Sequence, residues 1–381
     1  MTVAFRIPNC DRTRTGSCSR TTRQLLAIVL AMSAVVAGSA PAFASERDAQ
    51  HNPKQATPDG APTAQETTTT EFDTDLSLEQ QLAEAGNPRA QLLLAMRYAT
   101  GDGVPMSDAE AMRWYRKAAE QGYAEGQYHL GLRYLLGKGI PTNHAQGLQW
   151  LNLASIQRYP PAQNALGVLY RNGNGVTRDY SVDVAWFQKA AGQGEAIGQY
   201  NLGLMYDNGH GVAPDSVEAV KWYRRAAQQG HAAAQYNLGV AFREGTGVAQ
   251  DQAEAVKWFR LAAEQADSDA QTNLGSAYYT GTGVAKDFYE AVRWYRRAAE
   301  QGNPLAQFNL GLTYRNGDGV QHDPVEAYKW FNLASVRSSG AHQNQYANVR
   351  DQLAKQMTPA QAAEAQQRVR EWMQSFDKTK N

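Results

Sequence analysis

Seven tryptophans at one fixed spacing constrain this chain more than any other feature. Trp114, Trp150, Trp186, Trp222, Trp258, Trp294 and Trp330 stand 36 residues apart without an insertion or deletion. Leu94, Leu130, Leu166, Leu202, Leu238, Leu274 and Leu310 keep the same register, as do Tyr98, Tyr134, Tyr170, Tyr206, Phe242, Tyr278 and Tyr314. Self-similarity at a fixed period of about 20 to 50 residues marks a solenoid, propeller or array, and it outranks local secondary-structure arguments. Seven units fill residues 87–338, divided as 87–122, 123–158, 159–194, 195–230, 231–266, 267–302 and 303–338.

Each unit reads as two helices. In the seventh, Asn303 is placed to cap a first helix, with Pro304 in its first turn, where a missing N–H costs nothing. Ala306, Leu310, Gly311 and Tyr314 recur at spacings of three and four, one apolar stripe of a helix. Gly317 and Gly319 supply the positive φ of a tight helix exit, and Val320 follows as a small plug. Asp323 with Glu326 has capping-box spacing, repeated in Asp215/Glu218, Asp251/Glu254 and Asp287/Glu290. The second helix is expected to bury Ala327, Trp330, Phe331 and Ala334, with the Gly311 column letting the partner helix approach beside the Trp. A hairpin of this kind cannot bury its apolar face alone, so stacking must form a continuous core. The expected fold is all-α, a right-handed α-solenoid of seven 36-residue helical hairpins with capping helices at both ends.

The pattern A-xxx-LG-xx-Y-xx-GxGV-xx-D-xxx-A-xx-W-xxx-AA-xx-G resembles the Sel1-like repeat, a relative of the tetratricopeptide repeat. The tail is also similar to the ending of bacterial members, Trp330 to Ala334 followed by Met357 to Gln361. The resemblance implies an α-solenoid that serves as an adaptor, often for envelope or signalling assemblies, and no single reaction. Cysteine-rich members staple their repeats with disulfides, some with a link to penicillin binding, whereas both cysteines here, Cys10 and Cys18, precede the repeats.

The flanks suit an exported protein. Residues 1–44 have the form of a signal peptide: an Arg-rich start, the apolar run Leu25 to Ala37, and the A-x-A site Ala42-Phe43-Ala44. That run is shorter than the roughly 20 residues that span a bilayer, so cleavage and a periplasmic or secreted chain are expected. The whole chain has 37 basic and 37 acidic side chains. Losing residues 1–44, with five Arg and one Asp, leaves an excess of four acids and no electrostatic reason to expect nucleic acid. Residues 45–74, rich in Thr, Pro, Ala and Gln, read as a disordered leader. Residues 75–86 resemble half a repeat that caps the first unit, with Leu78 on the Trp column. Residues 339–381 read as capping helices and tail, with Ala362, Ala365, Val369, Trp372 and Phe376 forming the apolar face of the last.

Catalytic and metal constellations are lacking in the sequence. The seven histidines show no H-x-x-x-H spacing. Ser375 to Lys378 matches S-x-x-K without its S-D-N and K-T-G companions, and the GxGV loops lack the Lys of a phosphate loop. Lys221, Lys257 and Arg293 each follow a Glu by three residues, the spacing of an ordinary solvated, ion-paired face. No cofactor, metal or enzymatic activity is expected.

The first helices offer the surface for a protein or peptide partner. In tetratricopeptide-like arrays the corresponding face lines a concave groove. Here its sixth position carries Tyr128, Tyr200, Tyr236 and Phe308, and its seventh Asn201, Asn237, Asn273 and Asn309. The thirteenth carries Arg171, Asp207, Arg243, Tyr279 and Arg315. Asn both donates to and accepts from a peptide backbone, and Tyr and Arg are common hot-spot residues; the other reading of the Asn column is a bond to a neighbouring repeat. The expected function is a non-enzymatic scaffold of the bacterial envelope. The alternatives are a peptidoglycan- or glycan-binding protein, which sacculus binding would reveal, and an enzyme acting on peptidoglycan or β-lactams, which needs a converging nucleophile and base.

Overall fold

A computed structural model describes residues 76–378, and the proposed signal peptide, the leader and both cysteines lie outside them. Among the described residues all regular structure is helical. A first helix, α1 (76–84), precedes seven hairpins. These are α2 (Pro88–Thr100) with α3 (Asp108–Glu120), α4 (Ala124–Leu136) with α5 (His144–Ile156), α6 (Pro160–Asn172) with α7 (Tyr180–Gly192), and α8 (Ala196–Asn208) with α9 (Ser216–Gln228). They continue with α10 (Ala232–Glu244) and α11 (Gln252–Glu264), α12 (Ser268–Thr280) and α13 (Phe288–Glu300), and α14 (Pro304–Asn316) and α15 (Pro324–Arg337). Helices α16 (Gly340–Ala354) and α17 (Pro359–Lys378) follow. Each helix packs on its hairpin partner, and the second helix of each hairpin packs on the first helix of the next, so contacts are local as in an α-solenoid. No helix among the described residues is long and apolar enough to cross a membrane.

The deepest core column is not the tryptophans. Trp114, Trp294 and Trp330 are buried, but Trp150, Trp186, Trp222 and Trp258 keep an exposed edge. From the second repeat on, the residue after the Trp goes deeper: Leu151, Phe187 and Phe331 are 0% exposed, and Tyr223, Phe259 and Tyr295 nearly so. It is this residue, rather than the Trp, that the glycine column admits. A Cβ on Gly239 would lie 2.7 Å from Phe259 Cδ1, and one on Gly311 2.6 Å from Phe331 Cδ1. The expectation that Gly311 and its counterparts make room beside the Trp is therefore corrected by one helical position. Cations lie over several indole faces instead, on the buried Trp114 (Lys117, 4.2 Å) and on the partly exposed Trp186 (Lys189, 4.0 Å) and Trp222 (Arg225, 4.4 Å).

The capping boxes are half formed within the repeats. Asp323 Oδ1 accepts from the N–H groups of Val325 (2.9 Å) and Glu326 (3.0 Å), but the N–H of Asp323 donates to the Tyr314 carbonyl (3.0 Å). The same bond ties Asp215 to Tyr206 and Asp287 to Tyr278, so the cap residue's N–H is already used and the Glu is free for Lys or Arg. Thr358 and Gln361 form the complete reciprocal box at the start of α17.

A buried polar ladder joins the repeats. The fifth residue of every repeat is Gln, and the side chain of Gln235 donates to the Ala227 carbonyl of the preceding hairpin (3.1 Å). Its Oε1 accepts from Gln265 at the end of its own hairpin (2.8 Å). Gln127, Gln163, Gln199 and Gln271 make the same pair of bonds. At the N-terminus α1 stands in for a second helix, since Gln91 donates to the Ala83 carbonyl (3.0 Å). At the other end Arg337 occupies the Gln265 position, and Gln307 Oε1 has no partner. Gln235→Leu should lower stability by about 1–3 kcal/mol, because it removes two hydrogen bonds, one to the Ala227 carbonyl and one from Gln265; a fall in the urea midpoint without loss of helical circular dichroism is the expected reading.

The two terminal helices both pack on the last hairpin. Tyr346 and Leu353 of α16 join Phe308 and Phe331, while Val369 and Trp372 of α17 join Trp330 and Leu333. Arg368 secures α17 by pairing with Glu326 (2.6 Å).

Candidate functional site

The partner surface expected from sequence lies on the first helix of each hairpin, and the structure brings its columns together across repeat boundaries. Arg171 Nη1 of α6 donates to Asn201 Oδ1 of α8 (3.2 Å), and Asn201 Nδ2 donates to Asn164 Oδ1 (2.8 Å). Arg243 donates to Asn273 in the same manner one hairpin pair later, and Asn273 Nδ2 reaches the Asp269 carbonyl (2.9 Å). The thirteenth residue of one repeat thus meets the seventh of the next. Tyr279 Oη donates to Asp318 Oδ2 in the following loop (2.7 Å), and Arg315 lies over Phe331 (5.9 Å). Asp207 and Asn237 both lie beside the Tyr223 hydroxyl.

Exposure divides the site. Asn201 and Asn309 are buried, and Phe308 is stacked under Tyr346 of α16 at 4.3 Å. Tyr128 sits edge-on to Tyr159 (5.5 Å), and Tyr200 stacks on His231 (4.6 Å). Tyr128, Arg171, Tyr200, Asp207, Tyr236, Asn237, Arg243, Asn273, Tyr279 and Arg315 remain partly exposed, so the surface stays open from α4 to α14 except at Asn201, Phe308 and Asn309. Burial governs the ionisation here. It pushes His129 and His231 down to about 4, leaving both imidazoles neutral, and His231 Nδ1 accepts from the Ala234 N–H (3.2 Å). Burial, aided by the bond to Asp318, pushes the Tyr279 hydroxyl up to about 12.

Sequence reasoning missed one residue of this neighbourhood. Asp183 of α7 occupies a column held by Ala111, Gly147, Ala219, Ala255, Ala291 and Ala327 in the other repeats. It is 0% exposed, and neither carboxylate oxygen has a hydrogen-bond partner; Arg171 Nε is likewise buried and unpaired. Burial raises the Asp183 carboxyl to about 7 against the opposing pull of Arg171. The signal was an acid in an otherwise Ala/Gly column.

The second-helix face differs in kind. Lys221 pairs with Glu218 (2.8 Å), Lys257 with Glu254 (2.8 Å) and Arg293 with Glu290 (2.7 Å). Two hollows on it, of about 260 and 340 Å³, are lined by Arg293, Arg296 and Arg297 and by Arg113, Arg116 and Lys117. Arg116 and Arg296 are held by the hydroxyls of Tyr134 (3.0 Å) and Tyr314 (2.7 Å).

The family model of the Sel1 repeat matches seven times, at residues 88–123, 124–159, 160–195, 196–231, 232–267, 268–303 and 304–335. The crystal structure of a Sel1 repeat protein from Oxalobacter formigenes is similar at 35% identity, covering 73% of this chain and 81% of that one, with a TM-score of 0.58. That of c5321, a protective antigen of uropathogenic Escherichia coli strains, is 28% identical with a TM-score of 0.44, covering 79% and 95% of the two chains. Among curated proteins there is no match.

Proposed function

This chain belongs to the Sel1 repeat family, whose members are generally protein-interaction scaffolds, and on that premise we propose that it is a non-enzymatic scaffold of the bacterial envelope. It holds an extended partner segment along the first-helix groove, at the partly exposed positions that include Tyr236, Asn237, Arg243, Asn273, Tyr279 and Arg315. The observation that carries this reading is the contrast between the two faces. Lys221, Lys257 and Arg293 on the second helices are neutralised by a Glu of their own helix, whereas Arg171 and Arg243 on the first helices are fixed by Asn201 and Asn273 of the next repeat. Such bonds limit the side-chain freedom that binding would otherwise have to remove. Export rests on the N-terminal pattern of residues 1–44.

Crosslinking of the exported chain in envelope extract, followed by capture, tests the role. Recovery of a defined protein partner, with no retention on purified sacculi, is the expected result. Retention on sacculi without a protein partner would favour the glycan-binding alternative.

A further inference from the structure

Repeats two and seven share a six-residue pattern, Trp150-Leu-Asn-Leu-Ala-Ser155 and Trp330-Phe-Asn-Leu-Ala-Ser335. In the other repeats, apart from Leu261 of the fifth, the third residue after the Trp is Lys or Arg. The seventh repeat shows what its Leu is for. Leu333 is 1% exposed because α17 covers it, with Trp372 edge-on to Trp330 (6.1 Å, 70°) and Val369 in the same cluster. The seat extends to Gly302, where an added Cβ would lie 2.9 Å from Phe376. Arg337 closes it over the rings of Trp372 (4.8 Å) and Phe376 (4.0 Å).

The matching seat in repeat two is open. Leu153 is 36% exposed against 1% for Leu333, and nothing lies within 4 Å of a Cβ placed on Gly122, the counterpart of Gly302; Ile156, 75% exposed, stands where Val336 stays 55% exposed beside α17. Among the described residues no cation covers the Trp150 ring, which keeps an exposed edge where Trp330 is buried. Leu261 is also exposed, but Trp258 donates to Glu254 (3.0 Å), and Glu264 interrupts the apolar strip at the Ile156 position. Repeat two alone keeps the uncovered strip continuous along its second helix. Contiguous exposed apolar surface of this kind marks an interaction site.

We propose that the outer face of α5, centred on Trp150 and Leu153 with Ile156 at its edge, is the docking seat for an amphipathic helix of a partner protein. The bound helix lies as α17 lies on α15, with anchors spaced like Val369, Trp372 and Phe376, the helix-on-apolar-face mode of recognition. Charge decides between this occupant and a swapped α17 from a second copy. On α15, Arg368 is held by Glu326 (2.6 Å) and Asp323 (3.7 Å). The counterparts on repeat two are Gln146 and Asn143, and α5 contains no Asp, Glu, Lys or Arg. A swapped α17 would bring Arg368 onto a seat that lacks both acids, which costs desolvation without a paired charge in return. The fitting helix is uncharged at that position.

The probe is a labelled synthetic peptide of residues 357–378 carrying Arg368→Gln, titrated into the exported chain by fluorescence anisotropy. The peptide should bind, and Leu153→Lys should weaken it by about tenfold or more, because a charge then enters the apolar contact; Ile156→Lys, at the edge of the seat, should weaken it less. Leu261→Lys should leave binding unchanged, and the unaltered peptide with Arg368 should bind less tightly. Using two variants at exposed positions, with circular dichroism on each, separates loss of the seat from loss of the fold. Absence of binding, or binding indifferent to Leu153→Lys, would overturn the proposal. So would sedimentation showing a dimer of this chain that Leu153→Lys dissociates, since the seat would then belong to a second copy.

Discussion

Phe259→Ala is expected to lower the unfolding free energy by about 3–5 kcal/mol, the range for deleting a fully buried aromatic ring. The ring is 2% exposed and fills the space left by Gly239, and Tyr236 leans on it at 6.0 Å, so its loss opens a cavity between hairpins. Trp222→Ala should cost clearly less despite the larger side chain. Trp222 keeps an exposed edge, with Arg225 laid over its ring. Urea unfolding of the two variants side by side provides the check. Equal losses, or a larger loss for Trp222, would contradict the assignment of the inner column.

The hairpins were legible because three columns, Leu, Tyr and Trp, hold one period. Which column lies deepest was not. Trp and the residue after it are about 100° apart on a helix, so both fall on the inward half, and only the glycines opposite decide which ring enters. The Gln ladder could have been read: Gln91, Gln127, Gln163, Gln199, Gln235, Gln271 and Gln307 put an amide beside the apolar stripe in every repeat. Buried polar groups need partners, and Gln121, Gln157, Gln193, Gln229, Gln265 and Gln301 were already visible at a second fixed position. The Asn column was harder. Whether Asn201 faces solvent or the Arg171 guanidinium depends on how consecutive hairpins turn against each other, which spacing does not encode.

Asp183→Ala should stabilise the protein, and by more at pH 8 than at pH 5. A carboxyl raised to about 7 by burial, against about 3.9 in the unfolded chain, binds more protons when folded across that interval. Stability from this group is therefore greatest below about pH 4, declines as pH rises, and is fully lost above about pH 7. His129 and His231, held near 4 by burial, act in the opposite sense. Only the difference between the parent and the variant isolates Asp183. At pH 8 the gain should be of the order of 1–3 kcal/mol, the cost of leaving a buried polar group unsatisfied. Ala is the residue that four other repeats after the first carry at that place. A variant that loses stability, or a difference that does not change with pH, would mean that Arg171 compensates the charge.

The scaffold account rests on which face of the array the partner occupies. The direct measurement compares two folded variants for affinity to the captured partner, by calorimetry on the purified pair. One carries Asn237→Ala and Arg243→Ala on the first-helix face; the other carries Lys221→Ala, Lys257→Ala and Arg293→Ala on the second. The first should bind about tenfold or more weakly, as expected when hot-spot side chains are truncated. The second should bind as the parent does, because its cations are already paired with Glu218, Glu254 and Glu290. Normal binding by the first variant with lost binding by the second would place the partner on the outer surface and contradict the account.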